Sequence, residues 1–437
     1  MKRYEIYKNS GVDWIGEIPE EWEVKKLKFL GKIYAGINGK KGDDFSKEFS
    51  VGVKSFIPFT NICNNFKIDD NNYQYVKIDD SENQNRVKKN DILFLMSSET
   101  LDDIAKNSIY LGNNEELYLN SFCKGFRIFD KDVEPEFINY LLLSSTYRNY
   151  FSLVGRGFTR INLKQEYIND VSALLPNLKE QQSIALFLDE KTAKIDQTIS
   201  IKEKEILLLK ERRQILIQKA VTKGLNPKVK LKNSGVDWIG EIPEHWEVLP
   251  GFNVYKENKT NNIGMKEKVV LSLSYGNIVI KPEEKLVGLV PESFETYQIV
   301  KPGDIIIRCM DLQNDKTSLR TGIAVNDGII TNAYLNLNII NGNNSNYYYN
   351  FLHTLDTTKV IYKFGKGLRQ NLSYVDFKRM QIIVPPKIEQ NEIANHIEKL
   401  KIKISKAISL KQQEIEKLKE YKTVLVDNVV TGKVKIF

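Results

Sequence analysis

A seventeen-residue stretch occurs twice in this chain. Residues 8–24 read KNSGVDWIGEIPEEWEV and residues 232–248 read KNSGVDWIGEIPEHWEV, differing only at Glu21 against His245. Solenoid repeats have periods of roughly 20–50 residues. An offset of 224 residues is far longer. The chain is therefore expected to fold as two large half-proteins.

A weaker repeat follows each copy. LPNLKEQQSIALFLDEKTAKIDQTISIKEKEILLLKERR begins at Leu175 and VPPKIEQNEIANHIEKLKIKISKAISLKQQEIEKLKEYK begins at Val384. Pro176 matches Pro385, Glu180-Gln181 match Glu389-Gln390, and Ile195, Ile199, Lys202, Glu205, Ile206 and Leu209 recur 209 residues on. The middle of the first half is thus about fifteen residues longer than that of the second.

The stretch from Lys179 to Thr222 reads as one long helix. Ile195, Lys202, Leu209 and Leu216 form one column and Thr192, Ile199, Ile206, Arg213 and Ala220 another. Columns alternating by three and four make a coiled-coil seam. The second copy gives Ile404, Lys411, Leu418 and Leu425, then Ile408, Ile415, Lys422 and Val429. Lys202 and Lys411 interrupt the seam at one register, and polar seam positions fix register and partner number. Asn177 with Glu180 is expected to cap the first helix, and Gly224 and Gly432 to end the two. About 44 residues make a rod of roughly 65 Å, too long for one small domain to bury. Two such rods most simply pack antiparallel on each other; two ordinary amphipathic core helices are the plainer alternative.

The middles read as mixed structure. FIPFTNI, DILFLM and LYLNSFCKGFRIF are β-rich in the first, and VVLSLSYGNIVI, DIIIRCM and GIITNAYLNLNII stand in the same order in the second. VKKNDILF near Asp91 and VKPGDIII near Asp304 look like one turn into one strand. Each middle closes with a helix, Pro135 to about Leu153 and about Asn346 to Phe364. The expected fold class is α+β, a tandem duplication of two mixed α/β domains and two long antiparallel coiled-coil helices. The expected boundaries are 1–177, 178–231 (helix and linker), 232–385 and 386–437.

Local charge marks candidate sites. The net charge of +8 is modest, and much of the excess sits on the long helices: residues 179–231 hold 12 bases against 7 acids. Residues 137–165 contain no acid but carry Arg148, Arg156, Arg160 and Lys164, and residues 357–375 contain no acid but carry Lys359, Lys363, Lys366 and Arg369. Each window centres on a glycine turn, GRGFTR at 155–160 and GKGLRQ at 365–370. Glycines permit close backbone approach, and Arg and Lys meet phosphates or guanine edges. Arg156, Arg160, Lys164, Lys363, Lys366 and Arg369 are therefore the candidate DNA contacts, with a solvated basic loop as the alternative. Trp14, Trp22, Trp238 and Trp246 are all the tryptophans of the chain. They could bind a partner protein or staple their own halves.

Other classes find little support. No phosphate-binding loop, nucleophile elbow or HExxH occurs, and VPPK at 384–387 lacks the Asn or Asp and the aromatic of an adenine methyltransferase tetrapeptide. No catalytic residue is assigned. Cys63, Cys123 and Cys309 are scattered, as are His245, His353 and His396, so neither a disulfide frame nor a metal site is expected. No run approaches the roughly 18 apolar residues of a membrane span, and MKRYEIYKNS has no apolar signal core, so a cytoplasmic protein is expected.

With the GxxWIGEIPExWEV entry, a diverged middle and the LPxxxEQ helix, all occurring twice, the chain resembles a specificity subunit of a type I restriction–modification system over nearly its whole length. The resemblance implies two target recognition domains held apart by two antiparallel helices, pseudo-twofold, each reading half of a split, asymmetric DNA target. Helix length would then set the gap between the halves. It implies a subunit without catalysis of its own and without a cofactor of its own. Two modification subunits would methylate adenine N6 with S-adenosylmethionine, and restriction subunits would cut using ATP and magnesium. A coiled-coil scaffold that does not read DNA, and a DNA enzyme with an unrecognised site, remain as alternatives.

Overall fold

The chain is described by a computed structural model covering residues 2–79, 81–282, 284, 293–312, 319–364 and 371–436. It forms two compact units, Met1–Lys202 with Gln413–Phe437, and Glu203–Gln412.

The two long helices run Leu178–Lys223 and Lys387–Val430, within one residue of the expected span for the first. Every position of both predicted columns is buried or half-buried, while the intervening Lys191, Lys194, Glu203, Lys204 and Lys210 are exposed. In the first unit Lys422 Nζ meets Asp196 Oδ2 at 2.6 Å and Lys202 Nζ meets Glu414 Oε2 at 2.6 Å. In the second unit Lys411 Nζ meets Glu205 Oε2 at 2.5 Å. In the first unit one number falls as the other rises, so the packing there is antiparallel. Asn177 Oδ1 accepts the Glu180 amide at 3.1 Å, capping the first helix as expected.

Each unit is built on the same four-stranded antiparallel sheet. In the first the order is Gly31–Ala35, Cys123–Ile128, Ile92–Leu95, Asn107–Ile109; in the second it is Tyr255–Glu257, Leu335–Ile339, Ile305–Ile307, Thr321–Ile323. The turn into the central strand is also shared. Asp91 Oδ2 accepts the Lys88 amide at 2.7 Å and Asp304 Oδ2 accepts that of Lys301 at 2.9 Å, with Asn90 and Gly303 at φ 73 and 93°. Each seventeen-residue motif leads into a strand that pairs with the end of its own middle: Glu23–Lys26 with Ser172–Leu175, and Glu247–Pro250 with Gln381–Val384. What surrounds the sheet differs. The first unit adds Phe45–Ser46, Val53–Ile57, Gln74–Lys77 and Leu117–Leu119 as a second four-stranded sheet with one parallel pair. The second unit has the separate ladders Leu271–Ser274 with Asn277–Ile280 and Gln298–Val300 with Gly328–Ile330.

Two local expectations are corrected. FIPFTNI is not one strand: Val53–Ile57 stops before Pro58, and Phe59–Asn64 forms a short helix. Proline cannot donate to a ladder but suits the start of a helix. Nor is each closing helix continuous. The first breaks at Ser144 (φ −64°, ψ 153°) into Pro135–Leu143 and Ser145–Val154. The break leaves a free helix N-terminus, whose Thr146 amide and hydroxyl donate to Asp427 Oδ1 at 2.9 and 2.8 Å. A carboxylate there is favoured by the unpaired amides and the helix dipole. The second breaks at Thr358 and Lys359 (φ 62°) between Ser345–Thr357 and the 3₁₀ turn Val360–Phe364.

Candidate nucleic-acid interface

The repeated motifs are chiefly architectural. Gln181 and Gln390 are wholly buried and make equivalent bonds. Gln181 accepts the Glu134 amide at 2.9 Å and donates to Pro176 O at 2.8 Å. Gln390 accepts the Asn344 amide at 2.9 Å and donates to Pro385 O at 2.9 Å. Each glutamine thereby ties the closing helix of its middle to a long helix, a role its repetition signalled but its chemistry did not.

The four tryptophans stay within their own units. Trp22 and Trp246 are wholly buried and offer no surface to a partner. Trp14 and Trp238 are half-buried: Trp14 stacks on Tyr150 at 4.6 Å, and Trp238 meets Phe351 and Phe364 at 6.4 and 6.2 Å. Gly432 and Gly224, past the ends of the long helices at φ +74 and +72°, lie against Trp22 and Trp246. A Cβ at these glycines would come within 3.3 and 3.2 Å of the indoles.

Here lies the one difference between the two motif copies. Trp246 Nε1 donates to Glu389 Oε2 at 3.0 Å while His245 Nε2 contacts Glu389 Oε1 at 2.6 Å. The equivalent Glu180 instead accepts from the Tyr4 hydroxyl at 2.6 Å, and Trp22 Nε1 has no hydrogen-bond partner among the described residues. Burial and that carboxylate push the Tyr4 hydroxyl up from its ordinary range.

The first basic window folds into an exposed hairpin. After the helix Ser145–Val154 the backbone closes through Arg156 and Asn162, which exchange hydrogen bonds at 2.8 and 3.2 Å, and Ile161–Asn162 pairs with Ser97–Ser98. Arg156, Arg160 and Lys164 are all exposed on this segment. Arg156 Nη1 also donates to Leu153 O and Gly155 O at 2.5 and 2.9 Å, so this side chain is pre-positioned at the helix C-terminus. The Arg160 guanidinium lies 5.2 Å from the Phe122 ring. Arg148, from the same window, is half-buried and turned toward its own fold: it donates to Asp102 O and Ile104 O at 3.0 and 2.5 Å, and desolvation lowers its pKa to about 10. Charge pattern alone could not separate this half-buried arginine from its exposed neighbours.

In the second window Lys363 is exposed, and Lys359 Nζ lies 4.8 Å from the Tyr362 ring. Lys366 and Arg369 lie outside the described residues. Among the described residues no cluster of three His, Cys, Asp or Glu could hold a metal, and no helix is long and apolar enough to cross a membrane. Burial pushes the Cys123 and Cys309 thiols up, away from nucleophilic reactivity.

Comparison with known proteins finds one recurrent likeness. Residues 19–210 match the type I restriction modification DNA specificity domain. The chain is 26% identical over 444 residues to a Methanocaldococcus jannaschii protein assigned as the MjaX type I restriction enzyme specificity subunit, covering 97% of this chain and 96% of that one. The EcoKI specificity subunit of Escherichia coli is 26% identical over 232 residues, 53% of this chain and 47% of that one. Two solved structures share the fold. One, from work on assembly and conformational transition of the type I system, has a TM-score of 0.69 at 14% identity, covering 95% of this chain and 99% of that one. The other, the HsdS subunit of Thermoanaerobacter tengcongensis, has a TM-score of 0.56 at 14% identity, covering 95% and 98%. Over nearly its whole length the chain is thus similar to specificity subunits of type I restriction–modification systems, and residues 19–210 carry the match to their DNA specificity domain.

Proposed function

We propose that this chain reads a split, asymmetric duplex target, each unit reading one half, and so directs partner subunits to it. Two modification subunits would methylate adenine N6 with S-adenosylmethionine, and restriction subunits would cut with ATP and magnesium, in the cytoplasm. The chain itself would contribute recognition and no cofactor chemistry. The observation that carries this reading is one antiparallel sheet occurring twice, framed by a repeated motif and dressed with unlike strands and loops. Like frames with unlike readers suit two different half-sites.

Within the first unit, Arg156, Arg160 and Lys164 are the proposed phosphate and base contacts, and Lys363, Lys366 and Arg369 are the proposed contacts of the second. The exposure of Arg156, Arg160 and Lys164 on a glycine hairpin, away from the repeated packing motifs, supports the first set, and the matching basic glycine sequence GKGLRQ supports the second. The test is to exchange residues 31–170 for those of another specificity subunit and map methylated adenines across the genome. One half of the methylated sequence should change. An unchanged sequence, or changes in both halves, refutes the assignment of one half to each unit.

A further inference from the structure

The tip of the first basic hairpin carries a side chain that the electrostatic account leaves unused. Phe158 is fully exposed, more so than any other large apolar residue among those described. Its exposure is built in. Gly157 holds φ +150°, and a Cβ there would lie 1.8 Å from Arg160 O, so the backbone turns back on itself tightly at the residue before Phe158. The paired Arg156 and Asn162 close the loop below. Leu153 and Phe122, both largely exposed, stand on the adjoining segments, and Arg160 covers the Phe122 ring rather than that of Phe158. A free aromatic ring costs solvation, and a preorganised turn that presents it between two arginines calls for an apolar, anionic partner. Stacked bases inside a phosphate backbone fit both demands.

The second half repeats the pattern in sequence. GRGFTR at 155–160 aligns with GKGLRQ at 365–370, so in sequence Leu368 matches Phe158, each preceded by a basic residue and a glycine. Phe and Leu are both side chains that enter between base pairs as wedges, unstacking a step and kinking the duplex. We infer that Phe158 is a wedge that inserts between adjacent base pairs of the target, with Arg156 and Arg160 holding the phosphates on either side. This rests on the DNA-reading proposal above. It adds recognition through the deformability of a base step to recognition through base edges.

The test uses the chain assembled with its modification subunits and a duplex carrying the sequence found methylated in cells. Donor and acceptor dyes at the duplex ends report bending, and 2-aminopurine replacing a base within the half-site read by the first unit reports unstacking. The intact complex should shorten the end-to-end distance and brighten one 2-aminopurine position. Phe158→Ala should abolish both signals and weaken binding by a factor of about 5 to 150, the range of one lost base–aromatic stack. It should leave the salt dependence unchanged, whereas Phe158→Trp should keep the signals. Bending and affinity unchanged in Phe158→Ala, while Arg160→Gln weakens binding, would overturn the wedge and leave DNA reading intact. Loss of complex assembly without loss of bending would make Phe158 a protein contact instead. If the intact complex does not prefer the methylated sequence to a scrambled duplex, DNA reading itself fails and the wedge with it.

Discussion

Lys202 Nζ lies 2.6 Å from Glu414 Oε2 across the paired long helices of the first unit, and 209 residues on the contact recurs in the second unit as Lys411 with Glu205 at 2.5 Å. Each lysine sits on its seam and reaches a glutamate of the other helix, Glu414 exposed and Glu205 half-buried. Such a pair adds little stability but penalises a shifted register, because a slipped lysine would face leucine or isoleucine. Lys202→Glu should lower stability by about 0.2–1 kcal/mol through like-charge contact, and adding Glu414→Lys should recover most of it. A double-mutant cycle by denaturant titration checks this. A coupling energy near zero would mean that the pair is only a surface contact.

The Glu389 carboxylate is shared by Trp246 and His245, and its repeat mate Glu180 is not shared in this way. His245→Glu would copy the first motif onto the second and set two carboxylates about where a 2.6 Å contact now stands. Loss of a hydrogen bond to a charged group, with repulsion added, should cost the second unit roughly 1–3 kcal/mol. Glu389→Gln should cost less, since an amide still accepts from the indole. Hydrogen exchange along Lys387–Leu400 distinguishes the two.

His353 is the titrating group with the plainest consequence. Burial first, then the neighbouring Lys401 ammonium, lowers its pKa from 6.5 to about 4, and its Nδ1 has no partner among the described residues. The folded state therefore favours the neutral ring. The stability this gives is intact above about pH 6.5 and is lost as the pH falls toward 4, by up to about 3 kcal/mol. His353→Gln removes the titration, so the difference between variant and parent should narrow as the pH drops through that window. Exchange protection of Ser345–Thr357, measured from pH 7 to pH 4, reads it directly. A difference that stays constant across the window contradicts it.

Much of the frame was legible because it is periodic or repeated. The seam columns sorted buried from exposed residues along both long helices, since a 3.5-residue repeat can satisfy only one face. VKKNDILF and VKPGDIII revealed a shared turn because an aspartate that bonds the backbone three residues earlier needs a fixed spacing. The break at Ser144 was not legible: the carboxylate that caps the new helix start, Asp427, lies 281 residues from Thr146. Asp91 is likewise paired with Arg127 at 2.7 Å and with Tyr34 at 2.7 Å, partners set by strand register and invisible to local pattern. The basic window was legible as a stretch, but not residue by residue. Whether an arginine faces solvent or two carbonyls depends on the neighbouring chain.

That last distinction gives a prediction of its own. Arg160 and Lys164 are exposed on the hairpin segment, whereas Arg148 is half-buried against Asp102 O and Ile104 O with Nη1 unpartnered among the described residues. Each phosphate contact contributes close to one unit to the slope of log affinity against log salt. Arg160→Gln with Lys164→Gln should therefore reduce that slope by up to about 2 and weaken scrambled and specific duplexes alike, if both side chains meet phosphate. Should one of them read a base edge, its loss would instead relax discrimination at one base pair by roughly 1–3 kcal/mol and leave the slope nearer its starting value. Arg148→Met should behave in neither way. It strands two carbonyls in the loop that carries Asp102 and Ile104, costing about 1–3 kcal/mol of stability while leaving the salt slope of the folded protein unchanged. Binding titrations at three or more salt concentrations, alongside melting curves, separate the three outcomes. A slope unchanged by the double substitution, with discrimination also intact, would remove Arg160 and Lys164 from the interface.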